Sequence, residues 1–260
     1  MKRNIPVLID FDGVIRIEGK LADGAFELFQ FLKKNDIPSS IITNSTRNTS
    51  RDVIKFLVDS GINIFMDVMT TVDATIDYIS ENKLRVSVYS VDNVKKEFND
   101  FIDDKNPDAV VIGDLGEEWS YSLLNDIFRK VYHGAEIIAM QRNKYWHTDD
   151  KELALDAGAF IAAIEYASGK TSTLIGKPSP LYFQTALNML GFSTRDNFYM
   201  IGDDLENDIA GAQALGGLGI LVFTGKTKLP FINETNIKPA YTANNLSEVI
   251  ELLTNISNLR

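Results

Sequence analysis

The chain has 260 residues, of which 45% are hydrophobic and 24% charged, ordinary values for a soluble protein with a core of its own. Cysteine is absent, which excludes disulfides, thiolate metal sites and a cysteine nucleophile, and agrees with a cytoplasmic location. The formal net charge of −10 argues against nucleic acid as a partner, and no stretch is long and apolar enough to span a bilayer.

The first residues, Met1 to Ile9, are basic and then apolar, but Asp10 and Asp12 cut the apolar run too short for a signal peptide. Pro6–Asp10 reads as a buried strand and Ala25–Lys34 as a helix with a stripe of Phe26, Leu28, Phe29, Phe31 and Leu32. Ser39–Thr43 follows as a strand, Val53–Ser60 as a helix ending at Gly61, and Asp67–Thr71 as a short strand. The alternation with short connections predicts βαβ units and a parallel sheet. It returns after residue 173, with helices over Pro180–Leu190 and Asp208–Leu215, strands over Phe198–Ile201 and Gly219–Phe223, and a last helix over Leu246–Leu253.

Residues 79–172 carry units of their own. Strands are expected over Arg85–Ser90, Ala109–Ile112 and Ile137–Ala139, helices over Ser122–Val131 and Gly158–Ala167, and a polar stretch from Gln141 to Glu152. The chemistry-bearing motifs fall only on the flanks of this region, so it reads as an insertion of residues 79–172 into a core made of residues 1–78 and 173–260.

Four motifs lie at the carboxyl ends of expected strands, where open parallel sheets bind ligands. Asp10-Phe11-Asp12-Gly13 ends the first strand; alternate side chains share a face there, so the two carboxylates converge and call for a cation or a shared proton. Thr43-Asn44-Ser45 offers a hydroxyl and backbone N–H groups to a phosphate, or simply caps the next helix. Gly176-Lys177-Pro178 holds an ammonium in a stiff segment, the local positive charge that an acidic protein needs to bind an anion. Gly202-Asp203-Asp204 with Asp208 gathers hard oxygen ligands suited to Mg²⁺, with Asp203 the natural direct ligand, Asp208 behind it, and Asp204 in either place. Together they supply a nucleophile, an acid/base, phosphate donors, a cation and a metal site, the parts phosphoryl transfer requires.

The segments DFDGVI, TNST, GKPSP and GDDLENDI, in this order, resemble motifs I to IV of the haloacid dehalogenase superfamily. The insertion is similar to the C2-type cap of its NagD-like branch, and NPDAVVIGDLGEEWSYSLLN resembles the pyrophosphate-phosphatase-like members of that branch. The resemblance implies a Rossmann-like α/β core with an inserted α/β cap, and a magnesium-dependent phosphatase acting on a small phosphorylated molecule. It makes Asp10 the nucleophile that becomes an aspartyl phosphate and Asp12 the general acid/base. Thr43, the Asn44 backbone and Lys177 would hold the phosphoryl oxygens, and Mg²⁺ would sit on Asp10, the Asp12 carbonyl and Asp203. Some relatives carry Ser in place of Asp12. The resemblance also raises pairing of two copies through the cap.

In NagD-like enzymes a cap loop reads the leaving group, and the matching segment contains Asp156 and Gly158, which would face the pocket and allow close approach. Alternatively Asp156 is a helix N-cap with small residues packed behind it. Tyr145-Trp146-His147 offers a recognition edge, but His147 and His133 both read as surface histidines, with no partners at a metal-binding spacing. Competing functions are a phosphotransferase of the same superfamily, a receiver-like signalling module, and an idle phosphate-binding scaffold. The Asp10–Asp12 pair and the size of the insertion argue against the receiver-like module, and the intact set of Asp10, Asp12, Thr43, Lys177 and Asp203 argues against the scaffold.

Overall fold

A computed structural model describes residues 4–147, 152–228 and 236–258, which form two compact units. The first is built from the described parts of Met1–Thr43, Arg51–Met69 and Lys177–Arg260, and the second from those of Asn44–Ser50 and Thr70–Gly176. The second unit therefore extends beyond residues 79–172 at both ends and also takes a short segment after Thr43.

In chain order, the first unit opens with β1 (Val7–Asp10), a small hairpin of β2 (Arg16–Ile17) and β3 (Lys20–Leu21), and α1 (Ala25–Lys34). β4 (Ser39–Thr43), α2 (Ser50–Asp59) and β5 (Asp67–Thr70) follow. Into the second unit fall α3 (Thr71–Asn82), β6 (Val86–Tyr89), α4 (Asp92–Lys95), β7 (Ala109–Ile112) and α5 (Tyr121–Tyr132). It continues with β8 (Glu136–Ala139), β9 (Tyr145–His147), β10 (Leu153–Leu155), α6 (Ala157–Ser168) and β11 (Thr173–Leu174). The chain then returns to the first unit with α7 (Pro180–Met189), β12 (Tyr199–Gly202), a π-helical segment Leu205–Ala210 and α8 (Gly211–Gln213). β13 (Leu218–Val222), β14 (Tyr241–Ala243) and α9 (Leu246–Asn258) complete it.

The α/β class expected from the alternation is what the chain adopts. The large sheet has the order β14-β13-β12-β1-β4-β5, and the pairings of β1 with β4 and β12, and of β13 with β12 and β14, are parallel. Successive strands step one way from β1 to β5 and the other way from β12 to β14, so the order reverses between β1 and β12. Crevices outside the carboxyl ends of strands at such a reversal are where open α/β sheets bind ligands. The register sets Ile9 opposite Ile201 and Asp10 opposite Ile42, so Asp10, Thr43 and Asp203 all emerge at this one edge.

Residues of β1 alternate between two environments. Val7, Ile9 and Phe11 enter a cluster with Leu28 and Leu32 of α1, Val53 and Leu57 of α2, and Val249 and Leu253 of α9. Each such aliphatic side chain withdrawn from water contributes about 1.5–3 kcal/mol. On α1 the buried stripe is Ala25, Leu28, Phe29 and Leu32, with Phe26 left 45% exposed, so the apolar face is rotated from the expected one.

Three local departures from the sequence expectation have physical causes. β5 stops at Thr70 because Thr70 and Asp73 form a capping box that opens α3, a helix the alternation did not disclose. The helix expected over Asp208–Leu215 begins at Leu205, because Asp204 caps it through the N–H groups of Glu206 and Asn207. The polar stretch after Gln141 contains β9, which pairs antiparallel with β10, Tyr145 opposite Leu155; residues 148–151 lie outside the described chain.

The second unit has its own parallel sheet, of order β11-β8-β7-β6. Val110, Ile112, Ile137 and Ala139 pack there with Ile127 and Val131 of α5 and Ile161 and Ile164 of α6. Among the described residues no helix is long and apolar enough to cross a membrane.

Candidate active site

Asp10 closes β1 as a buried residue, 6% exposed, and its Oδ1 lies 2.6 Å from Nζ of Lys177. The same ammonium lies 2.6 Å from Oδ1 of Asp208, so one buried cation bridges two buried carboxylates. The other oxygen of Asp208 accepts the backbone N–H groups of Asp203, at 3.1 Å, and Asp204, at 3.0 Å. Starting the helical segment at Leu205 makes this possible: it carries Asp208 back over the end of β12. Asp208 thus holds Lys177 on one side and the turn after β12 on the other.

Asp203 accepts the Lys226 N–H on Oδ2 at 2.5 Å. Two glycines give its carboxylate room: a Cβ at Gly13 or at Gly225 would come within 2.6 Å of its Cγ. Gly13 is additionally at φ 85°, a left-handed conformation that glycine adopts without strain.

Carboxylate oxygens of Asp10, Asp203 and Asp208 lie within 4.8 Å of one another. Burial pushes the Asp10 carboxyl well above its usual range; Lys177 opposes this, while Asp208 and Asp203 add to it. Burial likewise raises Asp203 to about 6, with Asp208 adding to the shift, and burial raises Asp208. For Lys177 burial favours the neutral amine, yet the Asp10 and Asp208 carboxylates outweigh it and hold the proton on. The Lys177 ammonium pairs with two of these three buried carboxylates, so the group carries a net two negative charges when all are ionised. Asp208 has both oxygens committed, whereas Oδ2 of Asp10 and Oδ1 of Asp203 meet no N–H among the described residues. A buried group of carboxylates with oxygens this close and an excess of negative charge fits a divalent cation of the Mg²⁺ kind.

The other expected residues are placed as follows. Thr43, 1% exposed, ends β4, and its carbonyl accepts the Tyr182 hydroxyl at 2.7 Å; Asn44 follows it directly. Asp204 is not in the carboxylate group. It caps the helical segment and pairs with Nζ of Lys226 at 2.5 Å. Burial works against its ionised form, yet Lys226 and the N–H of Asn207 hold its carboxyl below the usual range.

Asp12 is not one of the three carboxylates grouped around Asp10, although strand alternation put the two on one face. The strand ends at Asp10, and the Asp12 carboxylate pairs instead with Arg16, its side chain 48% exposed. Asp156 takes the helix-cap alternative: its Oδ1 accepts the Ala157 N–H and the Gln141 side-chain amide, both at 2.6 Å. Gly158 makes its close approach to backbone, where a Cβ would meet the carbonyls of Arg142 and Asn143.

The haloacid dehalogenase-like hydrolase profile matches residues 7–101, and a HAD-hydrolase-like profile matches residues 174–249. Haloacid dehalogenase-like hydrolase domain-containing protein 2 of Mus musculus is 32% identical over 246 residues, 94% of each chain. The chain belongs to the haloacid dehalogenase-like hydrolase family. Mouse phospholysine phosphohistidine inorganic pyrophosphate phosphatase is 32% identical to this hydrolase, over 95% of the chain and 93% of the relative. Among solved structures, a 4-nitrophenylphosphatase from Thermotoga maritima superposes with a TM-score of 0.87 at 26% identity, covering 95% of this chain and 97% of that one.

Sequence reasoning about this hydrolase passed over Arg16, Tyr182 and Lys226. Lys226 sits in Thr224-Gly225-Lys226-Thr227 directly after the apolar strand β13, a strand-end glycine loop of the same form as the recognised motifs, which was the available signal. Tyr182 carried no such signal, because it reads as an ordinary apolar position of α7. Its fully buried hydroxyl lies 2.7 Å from the Thr43 carbonyl oxygen and 3.0 Å from that of Met69, tying α7 to the ends of β4 and β5. Tyr182→Phe removes both hydrogen bonds and is expected to lower the unfolding free energy by about 1–3 kcal/mol, measured by urea denaturation.

Proposed function

We propose that this phosphatase transfers a phosphoryl group from a small phosphorylated molecule to Asp10 and then releases it to water. The observation that carries the reading is the Asp10–Lys177–Asp208 bridge beside Asp203, at the reversal in strand order. Asp10 attacks phosphorus in line, and an acyl phosphate forms on its carboxylate as the bond to the leaving oxygen breaks. Asp12 gives its proton to that oxygen and then takes a proton from the water that hydrolyses the acyl phosphate. Lys177, the Thr43 hydroxyl and the backbone N–H of Asn44 hold the transferring oxygens.

Mg²⁺ held by Asp10, Asp203 and the backbone carbonyl of Asp12 would neutralise charge between the carboxylates and the phosphoryl group. Asp208 keeps Lys177 aimed at Asp10, and Asp204 braces the loop behind Asp203. On the family resemblance, the second unit serves as the cap. Substrates in reach of this chemistry include phosphomonoesters such as 4-nitrophenyl phosphate, and the pyrophosphate and N–P compounds named for the mouse relative.

The deciding experiment is phosphate release over a panel of sugar phosphates, nucleotides, pyrophosphate and phosphoramidates, with and without Mg²⁺. Release with Mg²⁺ and its loss on chelation are expected, together with acid-stable labelling of the wild-type protein by substrate phosphate. Undiminished release in a chelator would sink the metal assignment, and transfer of phosphate only to an added alcohol would make the protein a phosphotransferase.

Metal binding is also expected to register without turnover. At one hundred times its dissociation constant, Mg²⁺ should stabilise the fold by about 2.7 kcal/mol, or roughly 5–10 °C in thermal midpoint for a chain of this size. Asp203→Asn should abolish that shift while the metal-free protein remains folded; a shift of unchanged size would remove Asp203 from the metal site.

A further inference from the structure

The loop after β1 folds back on itself. The Phe11 carbonyl accepts the N–H groups of Ile15, at 2.9 Å, and Arg16, at 2.8 Å, while the Gly13 N–H donates to the Arg16 carbonyl at 2.8 Å. From the far side, the Thr224 hydroxyl donates to the Gly13 carbonyl at 2.5 Å. These bonds set the side chains of Asp12 and Arg16 against each other. The Nε–H of the guanidinium donates to Oδ1 of Asp12 at 2.8 Å, and Nη2 lies 2.6 Å from the same oxygen. Oδ2 meets no donor among the described residues.

An i,i+4 ion pair this exposed is usually a surface ornament of little energetic consequence. Two features separate this one from that class. Arg16 is only 24% exposed, and its Cζ lies 4.7 Å from the ring centroid of buried Phe11 and 5.6 Å from that of Phe56, two rings packed edge to face. A guanidinium resting on two fixed rings has little freedom left to lose when it grips a carboxylate. The grip is also one-sided: a fork-to-fork pair would occupy both oxygens, whereas here one is clamped and the other is presented.

We propose that Arg16 is a positioning residue for Asp12, holding Oδ1 so that Oδ2 is the oxygen that exchanges the proton with the leaving group and the attacking water. The proposal rests on the acid/base role assigned to Asp12 above. Its effect is orientation: the carboxylate is confined to one rotamer before substrate arrives, and a misplacement of about 1 Å in such a group is enough to cost on the order of 10² in rate.

The test compares kcat/KM, which reports the step that expels the leaving group, for glycerol 2-phosphate and 4-nitrophenyl phosphate. An alkoxide requires a proton to leave, whereas 4-nitrophenolate leaves readily without one. Arg16→Met keeps the aliphatic stem on the rings and is expected to lower kcat/KM for glycerol 2-phosphate by about tenfold to a hundredfold. The aryl ester should lose much less, the thermal midpoint should hardly move, and Arg16→Lys should recover part of the loss. Asp12→Asn should show the same selectivity more deeply, and adding Arg16→Met to it should cost nothing further. Equal losses on both esters, no loss on the alkyl ester, or additive losses in the Asp12→Asn background would each overturn the positioning role. If Asp12→Asn shows no dependence on the leaving group, the acid/base assignment of Asp12 is what fails, and the role of Arg16 falls with it.

Discussion

Asp10→Asn is expected to abolish phosphate release, with turnover falling by on the order of 10⁴ or more, the scale on which loss of a covalent nucleophile is felt. The fold should survive. Asn keeps an oxygen that can accept from Lys177, in the place where Oδ1 of Asp10 now lies 2.6 Å from the ammonium. It also removes one of three carboxylates whose oxygens lie within 4.8 Å of one another, so the repulsion among them drops. The metal-free variant should therefore melt no lower than the parent while losing both turnover and labelling by substrate phosphate. Turnover within tenfold of the parent would show that Asp10 is not the nucleophile.

Lys177→Met is the second large effect, and it acts on stability as well as activity. The ammonium is 3% exposed and bridges Asp10 to Asp208, so its removal leaves buried carboxylates facing one another without their cation. Breaking a buried ion pair from one side costs about 3–5 kcal/mol. Loss of a donor to the phosphoryl oxygens should cost turnover on the order of 10²–10³ besides. Adding Asp208→Asn to Lys177→Met removes one stranded charge and is expected to return part of the stability, though none of the activity. Urea midpoints of the single and double variants decide it: an unchanged midpoint in Lys177→Met would mean that the bridge does not stabilise the fold.

Much of this site was legible because its parts are local. Asp10, Lys177 and Asp203 each stand beside a glycine or proline or at the end of a short apolar run, patterns read within a window of a few residues. Their meeting follows from strand order, since parallel strands connected by helices deliver their carboxyl ends to one edge. What local windows missed has a common cause. The grip of Arg16 on Asp12, the tie from Tyr182 to Thr43 and the amide that Lys226 lends to Asp203 each depend on how a turn or helix is aimed. Asp156 could cap a helix or face a pocket on sequence grounds; its bonds to Ala157 and Gln141 select the cap.

The sequence by itself determined the class of the protein and the residue types at its strand ends. Hydrophobic periodicity and glycine placement are short-range constraints that any packing of this chain must respect. Only the tertiary structure decided the charge balance, in which one ammonium serves two carboxylates and Asp204 turns away to Lys226. It also decided that Oδ1 of Asp12 is held by Arg16. Such pairings rest on distances of a few ångströms between side chains brought together by folding, and the order of residues along the chain does not contain those distances.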